Sequence, residues 1–251
     1  MITCRVNSWR ICRKSNARPG QKIRLMAGAT VSWRNVPAFR FRNTCYSLGM
    51  PYDPAIHTGR LPRLAHEHYV GHTFVHWTMT IQDRSAGWLD SEHHFKLREL
   101  LCHALGAFDL ACPSYCLMPD HGHFLWIGLS SDSNQRAGVA CFRRAWNREL
   151  ARRNCGLDRQ AYDHVLCEGE RKDGALAGIA SYILANPQRA GIAAIGSRRY
   201  PYGGAVVPGY PELDPTSVDF WLRFWRIYRY RMSEGQSRRG PRSESLAASA
   251  T

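Results

Sequence analysis

From His72 to Ile81 the chain alternates between two sets of side chains. Thr73, Val75, Trp77, Met79 and Ile81 fall on one face, and His72, Phe74, His76, Thr78 and Thr80 on the other. This period of two predicts a strand with a core face and a more polar face, near the start of ordered structure at Tyr69. Asp83 to Gly87 reads as a turn. Ser91 is a candidate N-cap with Glu92 in the first turn, and Leu97, Leu101, Ala104, Leu105 and Phe108 follow at helical spacing. That helix is predicted to end before Cys112-Pro113. A short strand over Ser114–Leu117, a Met118-Pro119-Asp120 turn and a strand over His121–Leu129 read as an antiparallel hairpin. After the polar loop Ser130–Asn134, Val139, Phe142, Trp146 and Leu150 mark a second helix, with Arg144, Arg148 and Arg152 on another of its faces. Ala161–Cys167 is a further strand. Arg171–Asn186 is a third helix, stopped by Pro187, which disfavours helix in the residue before it.

The order is β-α-β-β-α-β followed by a helix. It predicts an α+β fold: a ferredoxin-like antiparallel sheet with two helices on one face and the extra helix over part of the other. Residues 196–215 read as a Gly/Pro/Tyr-rich loop. Phe220–Tyr230 reads as a docking helix, and the tail as disordered. The resulting domains are a basic extension (1–49), a linker (50–68), the main domain (69–195), a C-terminal docking extension (196–231) and the tail (232–251).

Charge changes this picture at one place. The chain has 251 residues and a formal net charge of +14. Residues 1–49 hold ten basic residues and no acidic one, so the remainder, with 24 basic against 20 acidic, is only +4. The extension admits three readings: a nucleic-acid arm, an import peptide, or translated sequence upstream of a start at Met50. The third is favoured, because coherent patterning begins only after about Pro51. Elsewhere the basic residues cluster locally, with seven arginines between Asn134 and Arg159. No run of eighteen apolar residues exists, which excludes a transmembrane helix. Nine cysteines without a C-x-x-C pair predict reduced thiols in a cytoplasmic protein.

The candidate chemistry lies in His121-Gly122-His123. Residues two apart on a strand point the same way, so both imidazoles can share one divalent cation and leave positions open for a third ligand and a substrate oxygen. Tyr182 and Asn186, four apart on a predicted helix, would share a face. If that helix lies across the histidines, His121, His123 and Asn186 hold a metal ion with Tyr182 beside it. A phenolate there can attack phosphorus and form a covalent phosphotyrosine.

Cys116-Leu-Met-Pro-Asp-His-Gly-His-Phe-Leu-Trp, Tyr162-Asp-His-Val-Leu and Tyr182-Ile-Leu-Ala-Asn-Pro-Gln-Arg-Ala-Gly-Ile together resemble the single-tyrosine transposases of the HUH superfamily, in particular the REP-associated tyrosine transposases. The resemblance spans about Tyr69 to Ile192. It implies Mg²⁺ or Mn²⁺ as cofactor, single-stranded or hairpin DNA as partner, and a 5′-phosphotyrosine intermediate, with no membrane and no obligate protein partner. It also implies the roles: His121 and His123 as the metal pair, Asn186 as third ligand and Tyr182 as nucleophile. One position departs from it. The middle of the family's motif is bulky and hydrophobic, and here it is Gly122, which weakens a strand interior. Gly174 and Gly178 likewise soften the tyrosine-bearing helix. These glycines keep open a second reading, a DNA-binding module that has lost catalysis. A third is a zinc-stabilised regulatory protein using Cys112, Cys116, His121 and His123. Arg144, Arg148 and Arg152 are candidate phosphate contacts.

Overall fold

The structure, a computed structural model, describes residues 63–194 and 200–237. The basic extension 1–49, most of the linker, and the tail beyond residue 237 lie outside the described residues. The described residues divide into two compact units, one of 63–184 with 201–237 and one of 185–194 with Tyr200.

The larger unit is α+β. Its strands are β1 (Phe74–Thr80), β2 (Leu110–Met118), β3 (His121–Gly128), β4 (Tyr162–Val165) and β5 (Gly203–Val206), in the order β4-β1-β3-β2-β5, every pair antiparallel. Helices α1 (Ser91–Ala107) and α2 (Gln135–Ala151) lie on one face. There Val75, Trp77, Met79, Tyr115, Leu117, Phe124 and Trp126 from the strands pack with Leu97, Leu101, Leu105, Val139, Phe142, Trp146 and Leu150 from the helices. Burying these large side chains is the main stabilisation of the unit, at about 25 cal/mol per Å² of apolar surface removed from water.

The opposite face carries the more polar residues of β1. These are nevertheless buried or nearly so, because helices α3 (Asp173–Leu184) and α5 (Phe220–Ser237) cover it. Ser114 Oγ donates to the Ala180 carbonyl of α3 across 3.1 Å. Trp225 and Tyr228 of α5 pack on Phe74, with ring centroids 6.5 and 6.1 Å away. Among the described residues no helix is long and apolar enough to cross a membrane.

Several element boundaries differ from the sequence expectation, each for a local reason. The N-cap of α1 is Asp90, whose carboxylate accepts from the His93 N–H at 2.8 Å; Ser91 is the first helical residue. The strand expected over Ser114–Leu117 runs from Leu110 and passes through Pro113. Proline has no N–H for the ladder, and the strand accommodates it with a bulge, the register shifting between Ala111 and Ser114. The helix expected to reach Asn186 stops at Leu184, and Asn186 opens a separate short helix, α4 (Asn186–Arg189). Pro187 cannot donate to the carbonyl four residues back and crowds it, so it ends one ladder and takes an N-terminal position in the next. The loop 196–215 contains β5, an edge strand on β2 disguised by Gly203-Gly204. Arg98 Nη1 and the Tyr115 hydroxyl lie 3.1 and 3.3 Å from where a Cβ on Gly204 would stand, so the glycine admits their close approach. Helix α5 continues to Ser237, past the expected boundary at 231. The end of the expected linker is packed: Arg63 donates to the Ala161 carbonyl at 2.9 Å and pairs with Asp163.

Candidate functional site

In β3, His121 is opposite Thr80 of β1 and Met118 of β2, while His123 is opposite Thr78 and Cys116. Cross-strand partners share a face, so both imidazoles leave the sheet on the side covered by α3 and α5. Their Nε2 atoms approach to 3.1 Å. Two adjacent ligands of one six-coordinate divalent cation, with bonds of about 2.1 Å, lie about 3 Å apart, so the pair fits such an ion. Among the described residues no three His, Cys, Asp or Glu side chains gather into a metal-holding group. Among the described residues, then, the pair stands as two donors.

The outer nitrogens are engaged as well. His121 Nδ1 lies 2.6 Å from Asp120 Oδ1, and Arg84 Nη1 donates to Asp120 Oδ2 at 3.0 Å. Burial pushes the Asp120 carboxyl up, but the hydrogen bonds and charges of His121 and Arg84 outweigh it and the net direction is down. Asp120 is thus a carboxylate at neutral pH. His123 Nδ1 is 3.2 Å from His76 Nε2 and 3.2 Å from Thr78 Oγ1. Burial, aided by nearby His164, pushes His76 down to about 3, so it is neutral. On β4, His164 stands opposite His76 and meets Glu170 at 3.0 and 3.1 Å. Burial raises Glu170, but the His164 contact and the Cys167 N–H bring it down to about 2. Asp120, Thr78, His164 and Glu170 were not singled out as site residues from sequence; His76 can face the site from its place on the strand, but reads more readily there as an ordinary sheet histidine. Asp120 is adjacent to the motif and was legible as a turn residue only. His76 becomes a neighbour of His123 through a strand register that no local pattern specifies.

Tyr182 is half-buried on α3, beside the buried Ala180 and Ile183. The Ser114–Ala180 hydrogen bond sets that helix on the histidine face of the sheet. Its last residue, Leu184, and Cys116 both border Gly203, at 3.5 and 3.9 Å from a Cβ built there, and Cys116 is the cross-strand partner of His123. Asn186 is not on this helix. It heads α4 in the 185–200 unit, so the four-residue spacing on one continuous helix does not hold.

The zinc arrangement is overturned. The bulge at Pro113 sends Cys112 into the core on the α1/α2 face, where its Sγ donates to the Ser114 carbonyl, while Cys116 shares the face of His123. The two sulfurs belong to opposite faces, and burial pushes both thiols up, Cys116 to about 12. Neither is poised to become the thiolate that zinc requires. Arg144, Arg148 and Arg152 are together and exposed on the outer side of α2, with Arg152 paired to Glu149 at 2.9 Å. The structure does not bring them to the histidines, because α2 covers the other face of the sheet.

No protein-family model matches the sequence, and no curated protein matches it. Solved structures do match. The chain is similar to a REP-associated tyrosine transposase bound to a REP hairpin, at 15% identity and a TM-score of 0.47, over 57% of this chain and 81% of that one.

Proposed function

We propose that this chain is a metal-dependent single-stranded DNA endonuclease and strand transferase that forms a 5′-phosphotyrosine on hairpin or repeat DNA in the cytoplasm, at the nucleoid. The observation that carries the reading is the approach of His121 and His123 Nε2 to 3.1 Å on the sheet face that the tyrosine-bearing helix covers. The β4-β1-β3-β2 order with α1 and α2 on one face supports a ferredoxin-like catalytic domain. The sequence resemblance supplies the roles. In this reading His121 and His123 ligate Mg²⁺ or Mn²⁺; the part of Asn186 as third ligand rests on the resemblance alone. A cation bound there polarises a non-bridging phosphate oxygen.

Tyr182 is the nucleophile. Its oxygen forms a bond to phosphorus, the bond from phosphorus to the 3′ oxygen breaks, and the phenolic proton is lost as the 3′ oxygen gains one. A phenol has an ordinary pKa of about 10, so the site must favour the phenolate in the transition state. The covalent link conserves the phosphodiester's energy for rejoining. The deciding experiment incubates the full chain with single-stranded hairpin DNA and Mn²⁺ and looks for a protein–DNA band on a denaturing gel. The band is expected with the natural protein and lost in Tyr182→Phe and His123→Ala. A band that persists in Tyr182→Phe removes Tyr182 from the reading. Tight hairpin binding with no band under any divalent cation leaves a DNA-binding module in its place.

A further inference from the structure

Each neutral imidazole carries one ring proton, and the neighbours decide which nitrogen holds it. In the neutral ring that a cation requires, His121 Nδ1 stands 2.6 Å from Asp120 Oδ1, an accepting oxygen, which places the proton on Nδ1 and the lone pair on Nε2. His123 has two arrangements. With the proton on Nε2 it donates to His121 Nε2 across 3.1 Å, and the two lone pairs a cation needs are not both available. With the proton on Nδ1 it donates to His76 Nε2 or Thr78 Oγ1, each at 3.2 Å, and the lone pairs of both rings are on Nε2.

We propose that His76, backed by Thr78, is the positioning residue of the pair: it accepts the Nδ1 proton of His123 and holds that ring in the tautomer whose Nε2 is open to a divalent cation. The inference rests on the reading of His121 and His123 as cation ligands. It is favoured by where His76 stands. It occupies a buried position on β1, a central strand, where burying a polar ring costs free energy unless the ring is hydrogen-bonded. Its ring lies 5.3 Å, centroid to centroid, from that of His123, with Nε2 directed at the ligand's outer nitrogen. Histidine ligands generally donate their outer N–H to an acceptor that fixes tautomer and orientation. Asp120 is that acceptor for His121, and His76 is its counterpart for His123.

Long-range ¹H–¹⁵N spectra of the ion-free full chain read the histidine tautomers directly. His121 and His123 are both expected in the Nδ1–H form. His76→Phe should move His123 to the Nε2–H form and weaken Mn²⁺ binding, measured by calorimetry, by about 10-fold or more. His76→Gln offers an amide oxygen as acceptor and should keep both the tautomer and the affinity, with thermal unfolding reporting whether each variant is folded. An Nε2–H form of His123 in the natural protein overturns the inference. So does a folded His76→Phe that binds Mn²⁺ as well as the natural protein. If His76→Phe does not fold, the natural protein's tautomer and the Gln variant decide. Failure of the cation reading is distinguishable: the natural protein would show the Nδ1–H form yet bind no Mn²⁺.

Discussion

Gly122 is the residue at which this chain departs from the motif it resembles, and its surroundings explain how the strand tolerates it. A Cβ built there stands 2.8 Å from Phe124 Cε2 and 3.2 Å from Leu117 Cδ2. The room a side chain would use is occupied by the Phe124 ring, on the same face of β3. The glycine therefore leaves no void, and the ladder on either side, Met79 opposite Gly122 and Gly122 opposite Leu117, is unbroken. Gly122→Val is expected to displace that ring and destabilise the protein by about 1–3 kcal/mol in urea denaturation. Adding Phe124→Leu should restore part of the loss; a Val variant as stable as the natural protein would mean that the ring is not held. A second residue makes stability depend on pH. The Tyr115 hydroxyl accepts from Arg98 at 2.8 Å and donates to His94 Nε2 at 2.8 Å. Burial first, and then the Arg98 charge, push His94 from 6.5 down to about 4. A depressed folded value means that the unfolded chain binds this proton more readily. The contribution is therefore full above about pH 6.5 and is lost as pH falls toward 4. Urea midpoints measured from pH 7 to pH 4 should fall, and His94→Gln should flatten part of the fall. An unchanged slope in that variant would assign the acid sensitivity to other groups.

At the level of elements, α3 combines an essential placement with a weak sequence. Nothing lies within 4 Å of a Cβ built at Gly174 or Gly178, so neither glycine serves a close contact. Gly178→Ala is expected to raise stability by up to about 1 kcal/mol, seen as a higher thermal midpoint. A lower midpoint would mean that the glycine is needed for a conformation the helix visits. The elements legible in the sequence were those with a regular pattern of residue types: the apolar and polar alternation of β1, the aromatic and branched run of the His121 strand, and the stripe of Val139, Phe142, Trp146 and Leu150 on α2. What local patterns concealed were features imposed by a partner strand. Pro113 reads as a stop, yet it lies inside β2 because β3 and β5 flank a bulge there. Gly203-Gly204 reads as a loop, yet β2 makes it a strand. The two-histidine motif was legible because both residues lie on one strand. The neighbours of its outer nitrogens were not, because the meeting of His76 with His123 depends on how β1 registers against β3.

At the scale of the whole unit, the sheet separates two surfaces of different use. One face carries the paired histidines beneath α3 and α5. The other is sealed by α1 and α2, and Arg144, Arg148 and Arg152 stand in solvent on the outer side of α2. Residues 50–251 carry a net charge of only +4, so on the proposed function their attraction for DNA would come from local clusters such as this one. On the proposed function, arginines remote from the histidines would hold the DNA and take no part in breaking it. Replacing all three with glutamine should weaken hairpin binding and make the fall of affinity with salt shallower, by about 0.7 in the log–log slope for each phosphate of single-stranded DNA that is no longer neutralised. The amount of covalent band at saturating DNA should not change. Stability should hardly change either, because the ion pair removed among the described residues, Arg152 with Glu149, is at the surface. Tyr182→Phe should do the reverse, keeping affinity and salt slope while abolishing the band. A triple variant whose salt slope equals that of the natural protein would make this arginine row a solvated helix face and move the search for phosphate contacts to the basic residues of α5.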